Sequence, residues 1–137
     1  MATVTFYEKP DCINNTRQKR LLEAAGHQVI ARNLLLEPWT CDRLRPFFAG
    51  LPVPQWFNTT APAITIGLVV PGWLDADMAL ELMVLDRCLI RRPLLEVGDQ
   101  RCAGFDLALI DQWLGLTPGA LSPTIPLDLE TCPATIR

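Results

Sequence analysis

The sequence lacks the paired ligands that a metal site needs. It contains no Cys-x-x-Cys pair and a single histidine, His27. Its five cysteines are scattered along 137 residues, at Cys12, Cys41, Cys88, Cys102 and Cys132. Because zinc sites use closely spaced ligands, this spacing argues against a metal centre. Unpaired thiols in a reducing compartment are the simplest interpretation, so we expect a cytoplasmic protein.

Basic tracts, long apolar spans and a secretory signal are absent as well. The net charge is −3 and half of the residues are apolar, a composition typical of one globular domain. The first residues have neither the charged start nor the apolar core of a signal peptide. We therefore expect neither a nucleic-acid partner nor a membrane partner.

Hydrophobic periodicity predicts a βαβ unit at the start of the chain. Residues 2–7 and 28–33 read as strands, and residues 15–25 read as a helix that ends at Gly26. Such a unit implies a parallel strand pair with a right-handed crossover.

The middle of the sequence is predicted to be mainly helical. We expect helices at 40–48, capped by Thr40, and at 75–85, capped by Asp75, with a short turn at 53–58. The β-branched segment 64–72 is expected to form a loop or a short strand.

A hairpin and one helix are predicted to complete the domain. Gly98-Asp99 suits a tight turn between strands at 94–97 and 100–103. Asp106 then caps a helix that ends at Leu114, and the proline-rich segment 117–137 reads as an extended or partly disordered tail.

Cys12 is the first candidate for chemistry because it opens the first predicted helix. The backbone N–H groups and the dipole at a helix start favour the thiolate, which is the nucleophilic form. Asp11 beside it raises the pKa of the thiol, whereas Arg92 and the dipole lower it, so the net direction is open. The alternative is a small buried packing residue.

Three segments resemble the arsenate reductase (ArsC/Spx) family. They are residues 7–26 with the spacing from Cys12 to Gly26, then Leu89-Ile90-Arg91-Arg92-Pro93-Leu94 followed by Gly98, and finally Arg101-Cys102 before Gly104-Phe105-Asp106. Within the family, the chain is most similar to the nitrogenase-associated proteins. The resemblance implies an α/β thioredoxin-like fold over residues 1–116, with a helical insertion at about 38–88 between the βαβ and ββα halves.

The same resemblance implies a thiol chemistry. In that family one cysteine attacks the arsenic of arsenate, arginines hold the oxyanion, and glutathione with glutaredoxin regenerates the enzyme. Carried over, Cys12 is the nucleophile, Arg92 and Arg101 are the catalytic arginines, and no bound cofactor is expected beyond glutathione as a cosubstrate. The remaining candidates, for substrate binding, are Asn14, Asn15, Arg91 and Pro93, the last implied to be a cis proline.

Two positions depart from the family pattern. Asn58 falls where the reductases place a further arginine, which predicts the loss of one anion contact. Asn15 stands where the redox-sensing regulators of the family carry a second cysteine. Oxidised Cys12 must therefore be resolved by glutathione, another protein or a distant cysteine.

Two functions remain open at this point. One is a thiol-dependent oxidoreductase, possible partners being glutathione or glutaredoxin. The other is a non-catalytic accessory protein in nitrogen fixation that binds a nitrogenase-related partner. Aromatic residues in the insertion form either such a partner surface or, in our preferred interpretation, ordinary core: Trp39, Phe47, Phe48, Trp56 and Phe57. His27, which follows a predicted helix end, is expected to be a surface residue or a partner of the helix dipole rather than a general base.

Overall fold

The computed structural model describes residues 2–10 and 12–115. The strands are β1 (Thr3–Glu8), β2 (Gln28–Asn33), β3 (Leu94–Val97) and β4 (Gln100–Ala103). The α-helices are α1 (Ile13–Ala24), α2 (Cys41–Leu44), α3 (Pro62–Thr65), α4 (Ala76–Leu85) and α5 (Leu107–Leu114). Four 3₁₀ turns join them, at Arg45–Phe48, Val53–Trp56, Pro71–Trp73 and Arg87–Leu89. The predicted order of a βαβ half, helices and a ββα half is confirmed.

The four strands form one sheet in the order β2-β1-β3-β4. β1 pairs in parallel with β2 and antiparallel with β3, which pairs antiparallel with β4. In this register Tyr7 lies opposite Leu94. The loop that follows β1 and the segment that precedes β3 therefore meet at one edge of the sheet.

Three predicted caps are present. The side chains of Thr40, Asp75 and Asp106 each accept a backbone N–H from the first turn of their helix. Gly26, just beyond α1, has a φ of 94°, a conformation that glycine adopts without steric cost.

One mid-chain prediction is corrected, and in another the structure excludes one of two alternatives. The helix predicted at 40–48 is α-helical only to Leu44, because Pro46 has no N–H to continue the ladder and the chain tightens into a 3₁₀ turn. Segment 64–72 contains no strand. It begins inside α3, whose first residue is Pro62, and turns at Gly67, where φ is 84°.

The sheet separates two apolar clusters. The insertion covers one face and buries Tyr7 and Leu94, whereas α1 and α5 cover the other face. Residues of the second cluster are Val4, Phe6, Leu22, Leu95, Phe105 and Ile110. The five aromatic residues expected to form core, Trp39, Phe47, Phe48, Trp56 and Phe57, are buried in the first cluster, so that prediction is confirmed. Trp73, the sixth aromatic residue of the insertion, is exposed.

His27 is buried, so the surface alternative is corrected. Its Nδ1 accepts the Ala2 N–H at 3.0 Å, and its Nε2 lies 2.8 Å from the Gly115 carbonyl oxygen. His27 thus ties the start of β1 to the end of α5. The predicted tail, 117–137, lies outside the described residues.

Within residues 2–10 and 12–115, every helix is too short or too polar to cross a bilayer.

Candidate active site

Cys12 lies at the N-cap of α1, directly after the loop that follows β1. Its backbone N–H donates to the Lys9 carbonyl at 3.3 Å, and its Sγ accepts the Asn15 backbone N–H at 3.4 Å. The helix start therefore directs a backbone donor at the sulfur, as the sequence predicted. Cys12 is 3% exposed and is disulfide-bonded in this structure. Cys41, Cys88 and Cys102 are free cysteines.

The Arg92-Pro93 segment lies at the same end of the sheet as the cysteine loop. It immediately precedes β3, whose Leu94 pairs with Tyr7 near the end of β1. The Arg92–Pro93 peptide bond is cis, as the resemblance implied. The Pro93 carbonyl accepts the Gly104 N–H at 2.8 Å, which ties this segment to the end of β4.

Arg92 is a buried cation with no carboxylate partner in the described part of the chain. The residue is 7% exposed, and its Nε has no hydrogen-bond partner within residues 2–10 and 12–115. Burial lowers the pKa of its guanidinium, an effect that a nearby thiol, Cys88, opposes. Burying an unpaired charge is costly, so a guanidinium kept in this state favours an anion from outside the protein.

Arg101 occupies a different environment from the one predicted. It lies on β4 opposite Glu96, on the face that packs against the insertion, and its Nη2 is 2.7 Å from Glu96 Oε2. Its guanidinium also lies 5.9 Å from the centre of the Phe47 ring. α1 covers the opposite face of the sheet. Arg101 is therefore engaged with Glu96 on the insertion face, whereas α1 packs on the other face.

Arg91 is attached to the insertion. Its N–H donates to the Trp56 carbonyl at 3.0 Å, and its Nη1 donates to the Gln55 carbonyl at 3.1 Å. The guanidinium packs on Gly104, where an added Cβ would lie 2.5 Å from Nε. Any side chain at position 104 would therefore displace Arg91.

The two asparagines after Cys12 are buried. Asn14 is 7% exposed and Asn15 is fully buried. The Asn15 side chain accepts the Lys9 N–H at 3.1 Å and donates to Gln18 Oε1 at 2.9 Å. Because both ends of its amide bind the protein, Asn15 braces the loop rather than offering a donor to substrate.

Asn58, at the position where the reductases have an arginine, makes hydrogen bonds within the protein. Its backbone N–H and its Nδ2 donate to the Leu89 and Cys88 carbonyls at 2.8 and 3.2 Å. Its Oδ1 accepts the Thr60 hydroxyl at 2.8 Å. The side chain fastens the insertion to the segment before Arg92.

Gln18 is the site residue that our sequence interpretation missed. It is fully buried one turn beyond Asn15. The signal was available, since positions 15, 18 and 22 share one helix face and a polar residue on a buried face needs a partner. Among the described residues, no cluster of three potential metal ligands occurs.

Comparison with known proteins places this geometry in context. No protein-family model matches the chain. The chain is 50% identical to a 15.7 kDa protein from the draG 3′ region of Rhodospirillum rubrum, over 98% of this chain and 90% of that protein. It is 29% identical to the arsenate reductase ArsI2 of Synechocystis, over 80% of this chain and 83% of the reductase.

A solved structure supports the fold assignment. The arsenate reductase from Vibrio cholerae superimposes with a TM-score of 0.66 and 18% identity, covering 85% of this chain and 98% of the reductase. At this identity the likeness concerns the fold alone. The chain therefore has the thioredoxin-like fold of the ArsC arsenate reductases and belongs to the same family as the Rhodospirillum rubrum protein.

Proposed function

We propose that this protein is a thiol-dependent reductase in which Cys12 is the nucleophile and Arg92 holds an anionic substrate. The supporting observation is the buried Arg92 guanidinium, which has no protein carboxylate within the described residues and lies at the sheet edge that carries the cysteine turn. A guanidinium in a desolvated site binds an oxyanion with charge-assisted hydrogen bonds.

The proposed reaction transfers two electrons from thiols to the substrate. With arsenate, the Cys12 thiolate displaces one oxygen as water and forms a sulfur–arsenic bond. Attack by glutathione on that adduct releases arsenic in the +3 state and leaves two sulfur atoms joined in a disulfide. A second glutathione or glutaredoxin thiol then reduces this disulfide and restores Cys12. Arg92 neutralises charge on the oxyanion in the first step.

The disulfide state of Cys12 is consistent with this cycle. Its sulfur forms a disulfide, whereas Cys41, Cys88 and Cys102 do not. Burial of Cys12 in this state means that the thiol must be released by reduction before it meets a substrate. We propose that the cycle operates in a reducing compartment, the cytoplasm, with glutathione as cosubstrate.

Turnover of arsenate under coupled conditions tests the proposal. The reduced protein is mixed with arsenate, glutathione, glutaredoxin, glutathione reductase and NADPH, and NADPH oxidation is followed. We expect turnover that Cys12→Ser abolishes and that Cys41→Ser leaves intact, because Cys41 packs against the insertion cluster. Equal turnover in Cys12→Ser would exclude Cys12 as the nucleophile.

Serine variants also identify the thiol that resolves Cys12. Each of Cys41, Cys88, Cys102 and Cys132 is replaced singly, and mixed disulfides are analysed by mass spectrometry after one turnover. Accumulation of a glutathione adduct on Cys12 in one variant alone would identify an internal resolving cysteine. The same adduct pattern in all four would assign resolution to glutathione or glutaredoxin.

The second candidate is a non-catalytic accessory protein associated with nitrogen fixation. It is favoured by large apolar side chains that the insertion leaves exposed, since exposed apolar surface can mark an interaction site. These are Ile66, Leu68 and Trp73, which are 69%, 77% and 82% exposed. Trp73→Ser should weaken binding to a nitrogenase-related protein without changing Cys12 alkylation. If Trp73→Ser binds the partner as tightly as the parent does, these exposed side chains do not support the accessory function.

A further inference from the structure

The first turns of α1 bury amide side chains on the face where apolar residues are expected. Asn15 and Gln18 are fully buried, whereas Ile13, next to Cys12, is 57% exposed. Burying an amide costs free energy unless its donors and acceptors are satisfied. This arrangement therefore points to a role that an apolar side chain could not fill.

Asn15 connects three parts of the cysteine turn. Its backbone N–H donates to Cys12 Sγ at 3.4 Å, its Oδ1 accepts the Lys9 N–H at 3.1 Å, and its Nδ2 donates to Gln18 Oε1 at 2.9 Å. The contacts with Lys9 and Cys12 span the loop that positions the thiol. The side chain must supply one acceptor and one donor at once, which a carboxylate cannot do.

The orientation of both amides follows from the Lys9 N–H. A backbone N–H can only donate, so the Asn15 atom that faces it must be the carbonyl oxygen. The Asn15 Nδ2 then points to Gln18, which must present its own oxygen. This sequence of constraints also accounts for Gln18 Nε2, which has no partner among the described residues.

We propose that Asn15 is a positioning residue for Cys12 and that Gln18 fixes its orientation. The proposal rests on Cys12 being the nucleophile. With the Asn15 amide held at both ends, the Asn15 backbone N–H stays directed at the sulfur after the disulfide is reduced and stabilises the thiolate. Asn15 thereby acts through Cys12 and not on the substrate.

The pH dependence of Cys12 alkylation tests the proposal without any substrate. The parent carries Ser at Cys41, Cys88, Cys102 and Cys132, and iodoacetamide reacts with the reduced protein. In Asn15→Ala we expect the apparent pKa of Cys12 to rise by about one pH unit, and alkylation at neutral pH to slow by up to about tenfold. Gln18→Met should raise the apparent pKa of Cys12 by a smaller amount, because the contact between Asn15 and the Lys9 N–H remains.

Asn15→Asp tests whether the side chain lies close enough to act on the sulfur. The aspartate keeps the acceptor for Lys9 but loses the donor and adds a negative charge near the sulfur. Because that charge disfavours the thiolate, we expect a larger rise in the pKa of Cys12 than in Asn15→Ala, and a smaller rise would contradict the proposed arrangement. Ile13→Ala is the matched control, since its side chain points outward on the same turn, and should leave the profile unchanged.

The outcomes are distinguishable from failure of the proposed function. Superimposable alkylation profiles in Asn15→Ala and the parent would overturn the positioning role. If Asn15→Ala loses its fold by circular dichroism, Gln18→Met decides, and an unchanged profile there overturns the proposal. A shifted profile in a protein that turns over no arsenate would support positioning while contradicting the reductase.

Discussion

Arg92 and Arg101, which the sequence placed in one site, lie in opposite environments. Arg92 is buried at the end of the sheet where the cysteine turn also lies, and it lacks a carboxylate partner within the described residues. Arg101 lies on the insertion face, paired with Glu96 and packed near Phe47. The comparison shows that an arginine's availability to a ligand depends on whether the protein already neutralises it.

Replacing Arg92 should have the largest effect on activity. Arg92→Met removes the cation but retains much of the side-chain volume, so we expect kcat/KM for arsenate to fall by about 10²- to 10³-fold. Stability should stay equal or increase, because an unpaired buried charge is removed. Coupled turnover and urea unfolding measure the two effects. A large loss of stability would show that Arg92 serves the fold rather than a ligand.

Asn58 comes next, with an effect on stability. Asn58→Ala removes the bonds to the Cys88 carbonyl and to Thr60, and should lower the free energy of unfolding by about 1–3 kcal/mol. Urea unfolding measures the change. Asn33→Ala is the matched control, since its side chain makes one local bond, to the Leu35 N–H. Equal losses in both variants would contradict the structural role of Asn58.

Arg101 should show a smaller and more general effect. Arg101→Ala breaks the partly exposed pair with Glu96, so we expect a stability loss of about 0.5–1 kcal/mol that shrinks at high salt. Turnover should stay within about threefold of the parent, because Arg101 lies on the insertion face and is already paired with Glu96. A loss of activity as large as that of Arg92→Met would reverse the comparison.

The sequence was sufficient for the order of elements because that order depends on local signals. Thr40, Asp75 and Asp106 cap their helices through side chains a few residues away, and Gly98-Asp99 closes the hairpin within the chain. Cys12 at a helix start could be predicted in the same way. These features need no knowledge of the tertiary packing.

The surroundings of the site could not be predicted, because they depend on which faces meet. Arg101 pairs with Glu96 across two strands, and alternation along β4 directs it away from α1. The Asn58 side chain donates a hydrogen bond to the carbonyl of Cys88, which lies 30 residues further along the chain. The resemblance suggested roles for these positions, but only the packing shows which groups are already engaged.

The smallest predicted effect concerns Tyr7, which shares Glu96 with Arg101. Burial raises the pKa of Tyr7, and its hydrogen bond to Glu96 at 2.9 Å acts in the same direction. Since the folded protein holds this proton more tightly than the unfolded chain, stability should fall as the pH rises above the ordinary tyrosine value of about 10. Tyr7→Phe should flatten that decline. Urea midpoints measured from pH 8 to 11 check this, and parallel curves for the parent and Tyr7→Phe would contradict a raised pKa of Tyr7.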